Sequence, residues 1–226
     1  MMTTGVWIKE YKKKGALWIH DGNPKRPHAI LTSEKHSGGF FNSELVMEDS
    51  YLLEVAAIEL VDELRDQGLK LDSVSRVVGP AMGAITLAHD IARIIGHKRD
   101  AGLHDKPCLR AYTEKEMDDD SKIMVFRKTK IRSGECILAV EDVLTTGGSV
   151  DRTAMAVVNA GGFVLPFVVV LVNRSGLTEV SGKKIVALID QPMPTWIGEE
   201  CPLCKEGSEA IRPKGVVNWE RLNASY

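Results

Sequence analysis

The sequence predicts an α/β domain of the doubly wound kind, a mainly parallel sheet with helices on both faces. Three observations lead there. Four short runs, "VSRVVG", "CILAVE", "FVLPFVVVLV" and "KIVALID", are almost continuously apolar and rich in β-branched residues, as strands covered on both faces are. The segments between them repeat apolar residues at the period of an amphipathic helix. Strand and helix alternate, and a parallel strand needs such a crossover to return to its sheet.

In chain order, Leu53, Ala57, Leu60 and Leu64 mark one face of a first helix over Tyr51 to Gln67, with Gly68 as its stop. "SVSRVVG" follows as a short valine-rich strand ended by glycine. Leu87, Ile91 and Ile94 line a second helix expected to close at Gly96, and Val150, Ala154 and Val157 begin a third that Gly161 and Gly162 end. "EKEMDDDSK" is read as a charged, mobile segment between two strands, with Asp118, Asp119 and Asp120 as a solvated turn. Residues 1–45 and 191–226 are richer in Trp, Pro and Gly and fit this rhythm poorly. They are expected to pack together as a hood over the edge of a core spanning about 46–190, all within one domain.

A chain of 226 residues with 44% apolar content can bury a sizeable core. Its 29 basic and 31 acidic residues give a net charge of −2, so no global field draws it to nucleic acid or membranes, and any phosphate site must be local. Neither a signal-peptide pattern nor an apolar run of membrane-spanning length occurs, and a cytosolic address is expected. Of the 4 cysteines, Cys108 and Cys136 are isolated while Cys201 and Cys204 form "CPLC". A zinc site needs about four convergent ligands and there is no second such pair. A tight turn with reduced thiols is expected.

The most informative stretch is "ILAVEDVLTTGGSVDR", Ile137 to Arg152. Its apolar strand delivers Glu141 and Asp142 to the carboxyl edge of the sheet, where ligands of such folds bind. Thr145, Thr146 and Ser149 then offer hydroxyls, and Gly147 and Gly148 let backbone N–H groups approach an anion at a helix start. Two carboxylates would repel a phosphate, so they need another task. As pure acceptors they suit the vicinal hydroxyls of a ribose. A 5-phosphorylated ribose satisfies both halves, whereas neither the Walker nor the dinucleotide fingerprint is present.

"AVEDVLTTGGS" resembles the phosphoribosyl diphosphate (PRPP) motif of the type I phosphoribosyltransferases, and its "EDV-x-TTGGS" form resembles the orotate phosphoribosyltransferases in particular. The resemblance covers most of residues 30 to 190 and implies that family's fold, with a small hood from the two ends. It assigns Glu141 and Asp142 to ribose and Thr145, Thr146, Gly147, Gly148 and Ser149 to the 5-phosphate. "VVGPAMGAI" resembles the pyrophosphate loop, giving Pro80, Ala81, Met82 and Gly83 to the diphosphate. "LTSEKHSGGFFNS" resembles the orotate-site segment, with Lys35, Phe40 and Phe41 in the matching places, and Thr145 is added to that site. "VLVNRSG" places Arg174 where the family pairs an arginine with the base's carboxylate, a task for which a guanidinium fork is suited. The tail "CPLCKEGSEAIRPKG" looks like the ending of some bacterial and archaeal members.

The chain departs from the pattern in two places. Gly83 stands where many orotate enzymes carry a lysine, and the mobile cationic loop is reduced to Arg110, Lys115, Lys122, Arg127 and Lys128 among acids. Lys115 is the first candidate for the catalytic cation. The resemblance implies transfer of 5-phosphoribosyl from PRPP to orotate in pyrimidine biosynthesis, giving orotidine 5-monophosphate and pyrophosphate. It implies Mg2+ held mainly by PRPP rather than by the protein, and a homodimer whose loops reach across. Two other readings stay open at this point: transfer to a purine or to uracil, and a PRPP-sensing protein without catalysis.

Overall fold

The computed structural model describes residues 3–99, 107–118 and 121–226. Helix α1 (Thr4–Lys13) leads into short strands β1 (Leu17–Ile19), β2 (His28–Ile30), β3 (His36–Ser37) and β4 (Gly39–Phe41), then a single helical turn α2 (Glu44–Met47). The core follows as α3 (Ser50–Asp66), β5 (Arg76–Pro80), α4 (Ile85–Lys98), β6 (Leu109–Asp118), β7 (Ser121–Val125), β8 (Cys136–Leu144), α5 (Gly148–Asn159), β9 (Phe163–Asn173), β10 (Glu179–Val180) and β11 (Lys183–Asp190). The tail adds α6 (Pro202–Lys205), β12 (Ala210–Ile211) and α7 (Val216–Asn223).

Seven strands form the main sheet in the order β10-β11-β9-β8-β5-β6-β7. The inner five pair in parallel and the two edge strands antiparallel. The four apolar runs of the sequence are β5, β8, β9 and β11, with Val168, Val169, Val170 and Val172 of β9 fully buried. Helix α3 begins where the Asp49 carboxylate accepts the N–H groups of Tyr51 and Leu52 at 3.1 and 3.2 Å, a side-chain cap that satisfies two otherwise orphaned donors. Helix α4 does not stop at Gly96 as expected but continues to Lys98. Six buried apolar side chains on its inner face, from Leu87 to Ile95, outweigh the cost of one interior glycine, about 1 kcal/mol.

Two segments differ from expectation for reasons the sequence hides. "EKEMD" and "SK" are not a loop between strands but the facing arms of the β6–β7 hairpin, in which Lys115 stands opposite Met124 and Glu116 opposite Ile123. Their alternating charges belong to an edge ribbon, which carries polar side chains freely. Asp119 and Asp120 lie outside the described residues. The first helix is the other case: Trp7 and Tyr11 are fully buried in the main core beside Leu60, Leu64 and Leu188, so α1 packs with the sheet. Elements β1 to β4 and the tail form a small assembly of their own. There β12 pairs in parallel with β2, β2 antiparallel with β3, and Trp18, Ala29, Leu31, Ile211 and Leu222 form their own small core.

At the amino ends of the strands, Arg76 donates from Nε and Nη2 to the two oxygens of Glu135, at 2.8 and 3.0 Å, and from Nη1 to the Arg110 carbonyl at 3.3 Å. The side chains are only 5% and 10% exposed. Removing one partner of such a pair leaves a buried charge, at a cost of about 3 kcal/mol. Glu135→Gln is therefore expected to lower the melting temperature by roughly 6–12 °C, read by calorimetry. The bond from Arg76 holds the Glu135 carboxyl below its ordinary value. Its contribution is complete above the unfolded-state value of about 4.3 and is lost as pH falls through the folded one, so the gap between wild type and variant closes in acid.

Candidate active site

The carboxyl ends of β5, β6, β8 and β9 open into a cavity of about 1040 Å³, at the upper end of the range for small-molecule sites. Its walls hold Pro80, Ala81, Met82 and Gly83, Lys115, Glu141 and Asp142, the run Thr145 to Ser149, Phe40 and Phe41, and Arg174. The structure thus brings these candidates together, while Lys35 and the loop residues Arg110, Arg127 and Lys128 are not in the wall. Lys35 closes a turn in which its carbonyl accepts the Leu31 N–H at 2.8 Å, and the residues that this turn turns towards the cavity are Leu31, Thr32, Ser33 and Glu34. The sequence places a lysine near the base; Lys35 itself is not among the residues that line the cavity.

Strand β8 carries the acidic pair near its carboxyl end: its inner residues, Ile137 to Val140, are buried, and the parallel pairing with β5 and β9 brings residue 141 to the rim. Glu141 is 7% exposed. Burial first, and the neighbouring Asp142 second, hold its carboxyl well above the usual range, with Lys115 opposing. Two acids that share a site this way favour a bound cation or hydroxyl donors. Asp142 lies over the pyrophosphate-loop candidate: a Cβ placed on Gly83 would come within 2.5 Å of its Oδ2. Position 83 is bare because a carboxylate fills its space, and a lysine there would have to displace Asp142. This loop includes a cis Ala81–Met82 peptide, and the Ala81 N–H donates to the Thr113 carbonyl at 2.7 Å.

The anion loop turns on Gly147, whose φ of 84° is a left-handed conformation that favours glycine. A Cβ there would also meet Val180 Cγ2 at 2.4 Å. Gly148 starts α5, so the loop's N–H groups and the helix dipole face the same space as the three hydroxyls. Arg152, one turn on, brings its Nη1 within 3.2 Å of where a Gly148 Cβ would lie.

Opposite stand more cations. Lys115 and Lys122 from the β6–β7 hairpin and Lys214 from the tail line the cavity with Arg152. The Lys115 ammonium is pushed down by burial first, then by Lys214 and Arg152, with Glu141 opposing. This is the field a polyanionic ligand would relieve. Other loop candidates lie elsewhere: Arg127 is engaged by Glu114 and Glu116, Lys128 is absent from the walls, and Arg110 lines a separate cavity of about 450 Å³ with Arg76 and Cys108. Arg152 and Lys214 had no role in the sequence reading. Arg152 was within reach, since it lies one helical turn after the glycines. Lys214 and Trp219, which packs on Phe40 with ring centroids 5.8 Å apart, arrive through the β12–β2 pairing, which no local signal reports.

Arg174 is the residue whose surroundings say most. Its backbone N–H donates to the Leu144 carbonyl at 3.0 Å, placing it beside the anion loop, and only 2% of it is exposed. Nη1 donates to the Gly39 carbonyl at 2.9 Å and Nη2 to Ser37 Oγ at 2.7 Å, while Nε is buried without a partner. Burial alone pushes the guanidinium down to about 10, so it stays charged at neutral pH. Among the described residues no carboxylate pairs with it. A buried cation held in place by neutral acceptors at a cavity wall is built for an anionic ligand.

Comparison with known proteins bears on the same region. Residues 48–203 match the model of the phosphoribosyl transferase domain. The chain is 33% identical over 212 residues to an orotate phosphoribosyltransferase of Caldicellulosiruptor bescii, covering 94% of this chain and 97% of the relative. It is 35% identical over 213 residues, with the same coverage, to one from Pelotomaculum thermopropionicum. Among solved structures, orotate phosphoribosyltransferase from Aeropyrum pernix superposes with a TM-score of 0.58 at 24% identity, covering 80% of this chain and 92% of that one. Adenine phosphoribosyltransferase from Thermoanaerobacter pseudethanolicus gives 0.56 at 16%, covering 81% and 99%. At such identities these two structures bear on the fold alone.

Proposed function

The chain belongs to the phosphoribosyltransferase family, and from that premise we propose that it is an orotate phosphoribosyltransferase, transferring 5-phosphoribosyl from PRPP to orotate. The observation that carries the choice of base is Arg174, a buried guanidinium without a carboxylate of its own at the wall of the anion cavity. Orotate carries a carboxylate, whereas uracil and the purine bases carry none. The 33–35% identity to orotate phosphoribosyltransferases over nearly the whole chain supports the same reading.

In this reading Thr145 to Ser149 and the start of α5 hold the 5-phosphate, and Asp142 and Glu141 accept from the ribose hydroxyls. In the loop Pro80 to Gly83, Met82 and Gly83 offer backbone N–H groups to the diphosphate, while the Ala81 N–H is held by the Thr113 carbonyl, with Lys115, Lys122, Arg152 and Lys214 around it. Phe40 and Trp219 supply an apolar wall for the base while Arg174 takes its carboxylate. The bond from C1 to the diphosphate oxygen breaks as the ring nitrogen of orotate bonds to C1 from the opposite face, and the proton that this nitrogen carried is lost to the leaving diphosphate. The electron pair leaves on the diphosphate, where the surrounding cations stabilise it. The acid pair sits beneath the positive charge that develops on the ribose. Glu141 and Asp142 are hard oxygen donors whose mutual repulsion a cation relieves, so they fit magnesium alongside the oxygens of PRPP. When bound, the ion supplies further neutralisation of the leaving group. A homodimer belongs to the same proposal, and light scattering measures it.

The test is the loss of orotate absorbance with purified protein, PRPP and magnesium, with adenine, hypoxanthine, xanthine and uracil in parallel. Turnover of orotate alone is expected; turnover of another base without orotate overturns the substrate. The acid limb gives an independent check. Glu141 accepts hydroxyls best when ionised, and its raised value keeps it protonated to higher pH than an ordinary glutamate, about 4.3. The kcat/KM for PRPP is therefore expected to rise with pH through a midpoint above that value, and Glu141→Gln is expected to remove this limb.

A further inference from the structure

We propose that His28, His36, Cys201 and Cys204 bind one zinc ion, which clasps the tail of the chain to the hood. The site lies in the seam between β2, β3 and α6, among residues the phosphoribosyl chemistry does not use. One ligand atom from each of the four side chains falls within 4.8 Å of all the others. His28 Nε2 is 3.0 Å from His36 Nδ1 and 3.5 Å from each of Cys201 Sγ and Cys204 Sγ, and Cys204 Sγ is 3.3 Å from His36 Nδ1. Tetrahedral zinc with two nitrogen and two sulfur ligands separates its ligand atoms by about 3.3–3.8 Å, given bond lengths of about 2.0–2.3 Å. These four distances are within a few tenths of an ångström of that cage, and the remaining pairs lie within 4.8 Å.

Proton accounting supports the same conclusion. Ser208 Oγ has one hydrogen, which it donates to the Arg26 carbonyl at 2.6 Å. His28 Nδ1, at 2.8 Å from that oxygen, must then be the N–H donor, which leaves Nε2 as a bare lone pair pointing into the cluster. The outer hydrogen bond that orients the imidazole is the one metal-bound histidines use. His36 Nδ1 and both thiols converge on this single lone pair, and only one of them can donate to it. A divalent cation with two thiolates and two neutral imidazoles satisfies all four at zero net charge. His28 and Cys201 are fully buried, so the groups are withdrawn from competing water.

The "CPLC" turn thus supplies half of a ligand set whose other half, His28 and His36, lies 176 and 168 residues before Cys204. The clasp fixes α6 against β2 and β3, one residue from the Ser37 that accepts from Arg174, and ahead of the tail residues Lys214 and Trp219 in the cavity wall. Its assignment is independent of the base the cavity takes.

The test uses the full-length protein without a histidine tag, dialysed free of loose metal. Elemental analysis is expected to give about one zinc per chain, released by a thiol-blocking reagent and detected with a chromophoric chelator. Substitution by cobalt is expected to give the visible bands of a tetrahedral site and the near-ultraviolet charge transfer of thiolate ligation. Cys204→Ala and His36→Ala, at the two less buried positions, are expected to abolish stoichiometric zinc, and chelation of the wild type to lower its melting temperature by roughly 5 °C or more. Chelator release and cobalt spectra need no variant to fold. A protein that takes up neither ion after reduction and reconstitution overturns the proposal, as does full zinc content in both variants or cobalt bands without the thiolate transition.

Discussion

Arg174→Ala is expected to lower kcat/KM for orotate about 10²- to 10³-fold, equivalent to about 3–4 kcal/mol. The size follows from burial: a carboxylate that leaves water for this wall needs the guanidinium, and without it an anion is desolvated against neutral groups. The loss must fall on the base. The KM for PRPP is expected to change little, because the phosphate loop and the acid pair are untouched. The substitution also frees the Gly39 carbonyl and Ser37 Oγ, so a modest fall in melting temperature accompanies it. Arg174→Lys separates the two effects, since it keeps the charge but loses the fork that reaches both acceptors, and intermediate activity is expected. Steady-state kinetics with both substrates varied decides the matter. An equal loss for PRPP and orotate would mean that Arg174 only braces the hood.

What could be read from the sequence is whatever lies close together along the chain. The four buried strands carry their own signature, and so does the anion loop, because strand, acid pair, glycines and helix start occupy consecutive positions from Ile137 to Arg152. Gly147 needs its left-handed turn wherever the rest of the chain goes. The hood is of another kind. Its strands are two or three residues long, too short for a period, and the pairing that joins them to the tail is remote: β2 pairs with β12. Lys35 lies outside the cavity wall while its neighbours Thr32, Ser33 and Glu34 line it, a difference of one position that no local signal reports. The charged arms of β6 and β7 read as a loop because an edge ribbon has no apolar run to announce it. His28 and His36 were invisible as ligands for the same reason that Trp219 was invisible as cavity wall: only the folded tail brings them into contact.

Asp142→Asn is expected to lower kcat/KM for PRPP about 10³-fold while leaving the fold intact. Asparagine has the same shape, so it still fits over Gly83, but its amide nitrogen cannot accept from a ribose hydroxyl, and the charge that faces the developing cation is gone. Hydrogen bonds to a charged group contribute about 1.5–3 kcal/mol each, and the electrostatic part grows in a site shielded from water. The Gly83 contact offers a second route to the same carboxylate. Gly83→Ala places a methyl where Asp142 Oδ2 now lies, at 2.5 Å, and must push the side chain off its position, so a comparable loss is expected with glycine's neighbours unchanged. The two substitutions then act on one object. Combined, they are expected to cost much less than the sum of their separate effects in kcal/mol, because a carboxylate already removed cannot be displaced again. Full additivity in that cycle would show that Gly83 serves the diphosphate through its backbone alone, and that the lysine absent from this loop is not excluded by the acid pair.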